Sequence, residues 1–167
     1  MSLEIIHIEN REDWLREREK IRGIGGSDAA AAIGMSKRKT MVQLWQEKTG
    51  RVKPKDLSRV DYVQMGVRTE GPIRDIFAAL HPEYAVVHRP FDIYHQSERP
   101  ELFATLDGEL TDQATGDKGV LEIKKFDVQR KEDWKLWDNR VPDDYFCQVL
   151  HQMNATGYAF AWLTVLL

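Results

Sequence analysis

The chain has 167 residues, a single cysteine and a net charge of −3, with 42% hydrophobic and 31% charged residues. Those proportions describe one domain large enough to bury a core and exclude a disordered chain. No run of about twenty apolar residues could span a bilayer, and the acidic, polar N-terminus is no secretory leader. A lone Cys147 cannot close an intramolecular disulfide, so a reducing, intracellular setting is expected. The charge is uneven. Residues 1–60 carry 13 Lys and Arg against 9 Asp and Glu, and residues 61–167 carry 11 against 18. A phosphate-facing patch followed by metal-binding acids would give this asymmetry, and so would two ordinary solvated surfaces.

The first half reads as helices. Residues 13–20 form a charged helix with Trp14 and Leu15 as its apolar contacts. Ser27-Asp28 before four alanines predicts an N-cap and a tight small-residue helix ended by Gly34. Thr40 starts a helix with Met41, Leu44 and Trp45 on one face, closed by Gly50. Residues 59–80 form a fourth helical stretch, interrupted at Gly71-Pro72, with Ile73, Ile76, Phe77 and Leu80 at helical spacing.

The period then changes. Residues 84–88, 91–94, 102–110 and 119–126 read as strands of a meander. Helices over 129–137 and 142–156 and a last apolar strand over 159–167 follow. The expected class is α/β, a mixed central sheet flanked by helices with a helical N-terminal part. No internal repeat or low-complexity tract occurs.

The chemistry gathers near the middle. In a strand over 120–125, Glu122 and Lys124 share a face while Leu121 and Ile123 point to the other. Asp107-Gly108 lies just upstream. An acid, then an acid two residues before a lysine, suits a hard divalent cation beside a cleavable phosphate. Taken singly, Asp107-Gly108 would be a hairpin turn, and Glu122 and Lys124 a solvated strand edge; the combination reverses that preference. Glu70 is either a helix-start charge or a further acid for the site. Gln148 sits on an otherwise apolar helix and needs a partner if buried, whereas Gln152 and His151 read as exposed or structural. Ile24-Gly-Gly-Ser27-Asp28, with Arg18, Lys20 and Arg22 just upstream, is a candidate anion site. Histidines 7, 81, 88, 95 and 151 lack ligand spacing and no Cys pair exists, which argues against zinc.

The ordered set Trp14, Ile24-Gly-Gly-Ser-Asp28, Thr40 through Leu44-Trp45 to Glu47-Lys-Thr-Gly50, Gly66 to Glu70, Leu106-Asp-Gly108, Leu121-Glu-Ile-Lys124 and Tyr145 through Gln148-Val149 to Gln152-Met153 resembles the YqaJ-type viral recombinases. These are relatives of the phage lambda exonuclease within the PD-(D/E)XK nuclease superfamily. The resemblance covers roughly residues 11 to 166. Departures are Leu106 where a proline often precedes the aspartate, Gly71 between Glu70 and Pro72, and Lys125 in place of a small residue.

The resemblance implies a restriction-endonuclease-like core and an exonuclease dependent on Mg²⁺ or Mn²⁺. It would digest duplex DNA from a free 5′ end and leave 3′ single strands for phage-type homologous recombination. Asp107, Glu122 and the Ile123 carbonyl would hold the metal, and Lys124 would orient or activate the attacking water. Glu70 and Gln148 would complete the site, and Lys20, Arg22 and Ser27 would receive the terminal phosphate. The partners implied are duplex DNA, a single-strand annealing recombinase and further copies in a ring-shaped trimer. No membrane is involved, and the setting is the cytoplasm of a bacterial or phage-infected cell. Residues 1–167 would be one nuclease domain lacking the C-terminal part of a longer chain. An endonuclease or single-strand nuclease on the same fold, or a catalytically silent DNA-binding module, are the alternatives.

Overall fold

The structure, a computed structural model, describes residues 2–167. Its centre is β6 (Lys118–Lys125), whose residues Gly119 to Ile123 are all buried. A strand buried on both faces needs a partner layer on each side. On one face Leu121 and Ile123 pack with Leu110 against Ile73 and Phe77 of α4 (Asp61–Leu80). On the other, Val120 packs with Tyr94, Ala104 and Leu106 against Ala155 of α6 (Asp143–Thr156). Alternation then sends Glu122 toward α6 and keeps Ile123 on the α4 side.

Two sheets, not one meander, carry this core. The larger runs β2 (Tyr84–Val87), β5 (Gly108–Asp112), β6 and β7 (Phe160–Leu166), antiparallel except for the parallel β6–β7 pair. The smaller runs β1 (Leu3–Ile6), β3 (Ile93–Gln96) and β4 (Arg99–Ala104), all antiparallel. The single strand expected over 102–110 is therefore two. It breaks at Thr105-Leu106-Asp107, where the chain leaves the small sheet for the large one. β1 was not foreseen, because a four-residue strand is too short to show a period.

The helices correct the sequence reading in two places. α4 is continuous through Gly71-Pro72. Pro72 removes only its bond to the Arg68 carbonyl, and both residues lie on the exposed side of the helix. The segment after Gly25 is a 3₁₀ turn, Gly26–Asp28, leading into a four-residue α2 (Ala29–Ala32). The Asp28 side chain does not cap α2. Its carboxylate turns back to the Gly25 amide at 3.2 Å and to Lys48 at 2.6 Å.

α3 (Met41–Lys48) begins as expected, with Thr40 and Gln43 in a reciprocal capping box, but only Leu44 of its apolar face is buried. α1 (Arg11–Ile21) is capped by Asn10, and Trp14 Nε1 donates to Thr105 Oγ1 at 3.0 Å. That bond anchors α1 over the β4–β5 junction. α5 (Lys131–Lys135) is shorter than expected. No helix among the described residues is long and apolar enough to cross a membrane.

Candidate active site

The β4–β5 break, α6 and the middle of α4 meet at one cleft of about 600 Å³, and Glu122 of β6 is joined to its wall through Gln148 and Gln152. Gly108 pairs with Leu121 across β5 and β6, so Asp107 stands beside the strand that carries Glu122. Asp107 is fixed from both ends. Its Oδ2 accepts the Ile123 N–H at 2.8 Å, and Arg74 Nε donates to its carbonyl at 2.8 Å.

Glu122 is only 1% exposed, yet both its oxygens are served. Gln148 Nε2 donates to Oε1 and Gln152 Nε2 to Oε2, each at 2.6 Å, and the Lys124 ammonium reaches Oε1 as well. Gln148 and Gln152 lie four residues apart on α6, hence on one face of that helix. Lys124 also stands 5.6 Å from the Tyr145 ring. Glu70 and Arg74, likewise one turn apart, present α4 to the same cleft.

Burial pushes the Glu122 carboxyl up, and the Asp107 charge adds to it, against Lys124. Burial also pushes Asp107 up, opposed by Lys124 and reinforced by Glu70. Glu70 is raised chiefly by burial. For Lys124, burial works downward but is outweighed by Glu122 and Asp107, so its pKa rises and it stays an ammonium at neutral pH. Burial thus works against the ionised form of all three carboxyls.

Among the described residues no three His, Cys, Asp or Glu side chains gather into a preformed cage. The donor set suits Mg²⁺, which is held by one or two carboxylates and keeps much of its water. Asp107 and Glu122 are the side chains able to supply those oxygens.

The far end of the cleft is cationic and aromatic. Arg11, Trp14 and Arg18 repeat along one stripe of α1 and line it together with Gly25, Gly26 and Ser27. Arg18 lies 4.3 Å from the Trp14 ring and 5.6 Å from Phe103. The segment before Ser27 is held by backbone bonds to β4 and by the Asp28 carboxylate on the Gly25 amide. Ile24 bonds to Glu101 and Phe103 beside β4, and Gly23 has no room for a side chain, since a Cβ would meet the Glu101 carbonyl at 2.1 Å.

Of the residues singled out from sequence, Glu70, Asp107, Glu122, Lys124, Gln148 and Ser27 come together. Lys20 and Arg22 do not line the cleft. Lys20 is exposed and paired with Glu17 at 2.7 Å, and Arg22 is an exposed left-handed C-cap with φ of 51°. Helical spacing explains this, because Arg18 continues the Arg11–Trp14 stripe and Lys20 lies nearly opposite. Of the three upstream cations of the candidate anion site, Arg18 is the one that lines the cleft, and Gln152, read as exposed or structural, is buried and bonded to Glu122. The signal for Gln152 was available in its spacing of four from Gln148.

The fold is that of the alkaline exonucleases. The structure matches that of LHK-Exo in complex with dAMP with a TM-score of 0.67 at 16% identity, covering 93% of this chain and 73% of that one. It matches the alkaline exonuclease LHK-Exo from Laribacter hongkongensis with a TM-score of 0.63 at 17% identity, covering 92% and 74%.

In sequence, the YqaJ-like viral recombinase domain family matches residues 13–159, and the chain belongs to that family. The uncharacterized protein YqaJ of Bacillus subtilis (strain 168) is 32% identical over 160 residues, which is 95% of this chain and 47% of that protein. The chain thus spans about half the length of that relative.

Proposed function

We propose that this chain is the nuclease domain of a recombination exonuclease, which hydrolyses duplex DNA from a 5′ end and leaves 3′ single strands. The observation that carries the reading is the joining of Glu122 and a charged Lys124 on β6 with Asp107, just ahead of the paired β5, beside a cleft with a cationic end. Membership of a viral recombinase family and the exonuclease fold point the same way.

Asp107 and Glu122, with the Ile123 carbonyl, would hold Mg²⁺ or Mn²⁺. The bound cation supplies Lewis acidity to the phosphodiester and makes its water a better nucleophile. Lys124, being protonated, orients the attacking water and stabilises the charge that develops on the phosphate, rather than taking a proton. Gln148, which donates to Glu122, and Glu70 complete the site. Arg18 with Ser27, in place of Lys20 and Arg22, holds the terminal phosphate. Such a contact positions an end and reads no base sequence. A single-strand annealing partner and a trimeric ring complete the proposal.

Cleavage of linear duplex, with and without a 5′ phosphate, in Mg²⁺ and in EDTA, tests it. Metal-dependent loss of one strand from phosphorylated ends is expected. Cutting of closed circles would favour an endonuclease, and binding without cleavage a silent module.

A further inference from the structure

Two carboxamides one helical turn apart hold the two oxygens of one carboxylate, and they hold them differently. Gln152 is 1% exposed, and its Nε2 is the sole donor to Glu122 Oε2 among the described residues, at 2.6 Å. Gln148 is half-buried and lines the cleft, and its Nε2 shares Oε1 with the Lys124 ammonium. One oxygen is held by an amide that is 1% exposed, the other by a half-buried amide together with the Lys124 ammonium, although both amides border the cleft.

Gln152 carries a second mark. Its Oε1 is buried and accepts no hydrogen bond. A carboxamide kept in the interior with its acceptor unused is a poorer packing element than an apolar residue of the same length. Packing therefore does not account for it, and the bond to Glu122 does. Gly26 leaves the space for both amides, since a Cβ there would stand 3.3 Å from the Cγ atoms of Gln148 and Gln152.

We propose that Gln152 is the positioning residue that fixes the Glu122 carboxylate for a divalent cation, and that Gln148 is the partner that yields Oε1 to it. The inference rests on the metal-dependent reading above. With Oε2 tethered, the carboxylate cannot rotate about its last bond, so Oε1 is presented in one direction. Loss of the tether leaves a ligand that must be ordered on binding. Partners of this outer kind change metal affinity by about 10- to 100-fold.

The test is calorimetric titration of the DNA-free chain with Mn²⁺, together with its melting temperature without metal. Gln152→Met keeps length and volume but cannot donate. It is expected to weaken Mn²⁺ binding by about tenfold or more and to leave the metal-free melting temperature unchanged or higher. Raised Mn²⁺ should restore its cleavage rate. Gln148→Met is expected to bind Mn²⁺ as tightly as the unsubstituted chain, or more so.

Gly26→Ala keeps both amides and displaces their stems, so an intermediate weakening is expected; it supplies the answer if Gln152→Met does not fold. Unchanged Mn²⁺ affinity in a folded Gln152→Met, or in Gly26→Ala if that variant fails, overturns the proposal. So does an equal loss in Gln148→Met. An unsubstituted chain that binds no Mn²⁺ overturns this proposal and the metal-dependent reading together. Mn²⁺ binding without any DNA cleavage would sink only the nuclease reading and leave the affinities decisive.

Discussion

The Asp107 carboxylate and the Ile123 amide are joined across two paired strands at 2.8 Å. Because Ile123 follows Glu122 on a fully buried stretch of β6, this bond ties the position of one acid to that of the other. Asp107→Ala or Glu122→Ala is expected to abolish metal-dependent cleavage while the fold survives. Each also removes an acid whose ionised form burial disfavours, so the metal-free melting temperature should stay or rise. Cleavage and melting measured on one preparation check both halves. A variant with near-full activity would contradict the assignment.

Lys124 shares the Glu122 face, whereas Lys125 pairs with Asp127 at the strand end. Lys124→Ala should lower the turnover rate by about 10²- to 10³-fold, the usual effect of removing one donor to a developing charge. Mn²⁺ affinity should survive, because the ammonium is no ligand. Lys125→Ala should matter far less in the same rate measurement. The reverse ranking would mean that the strand is read in the wrong register.

Arg18 stands on the cleft-lining stripe of α1, and Lys20 and Arg22 do not. Arg18→Ala and Ser27→Ala are expected to slow digestion of 5′-phosphorylated duplex and to erase its preference over a 5′-hydroxyl end. Lys20→Ala and Arg22→Ala should keep that preference. Comparison of rates on the two kinds of end checks this, and equal rates in the unsubstituted chain would remove the reason for a terminal-phosphate pocket.

The raised carboxyls give the metal-free protein a signed pH dependence. Asp107 and Glu122 are pushed above the usual carboxylate range of about 4, so between that range and their folded-state values the folded chain binds more protons than the unfolded one. Stability is therefore expected to fall as pH rises through this window. Glu122→Gln removes part of the slope. Melting temperatures of the two proteins from acid to neutral pH, in EDTA, should converge at the acid end. Parallel curves would show that Glu122 is not held against ionisation.

The acid pair was legible because strand alternation is local. Once 120–125 is a strand, Glu122 and Lys124 must share a face, and the turn-forming Asp107-Gly108 must sit near it. The buried Gln148 announced itself as a polar residue on an apolar helix. Its neighbour Gln152, one turn on along the same face, reads from sequence as exposed or structural, and only the docking of α6 on β6 brings it to Glu122. Arg18 and Lys20 differ by position around α1, and the face of that helix is set by the Trp14–Thr105 bond, a contact spanning 91 residues. The break between β4 and β5 was hidden for a related reason. Residues 102–110 read as one strand with apolar residues on both sides of Asp107-Gly108, and the exchange of sheets at Thr105-Leu106-Asp107 is decided by long-range pairing. That exchange also turns Asp107 out of a ladder and into the cleft.

The most direct test of the account is the cleavage rate of linear 5′-phosphorylated duplex by the unsubstituted chain and by Glu122→Gln, each in Mg²⁺ and in EDTA. Cleavage is expected only by the unsubstituted chain and only in Mg²⁺, with one strand shortened from its 5′ end. Equal cleavage by both proteins, or cleavage that persists in EDTA, would contradict it.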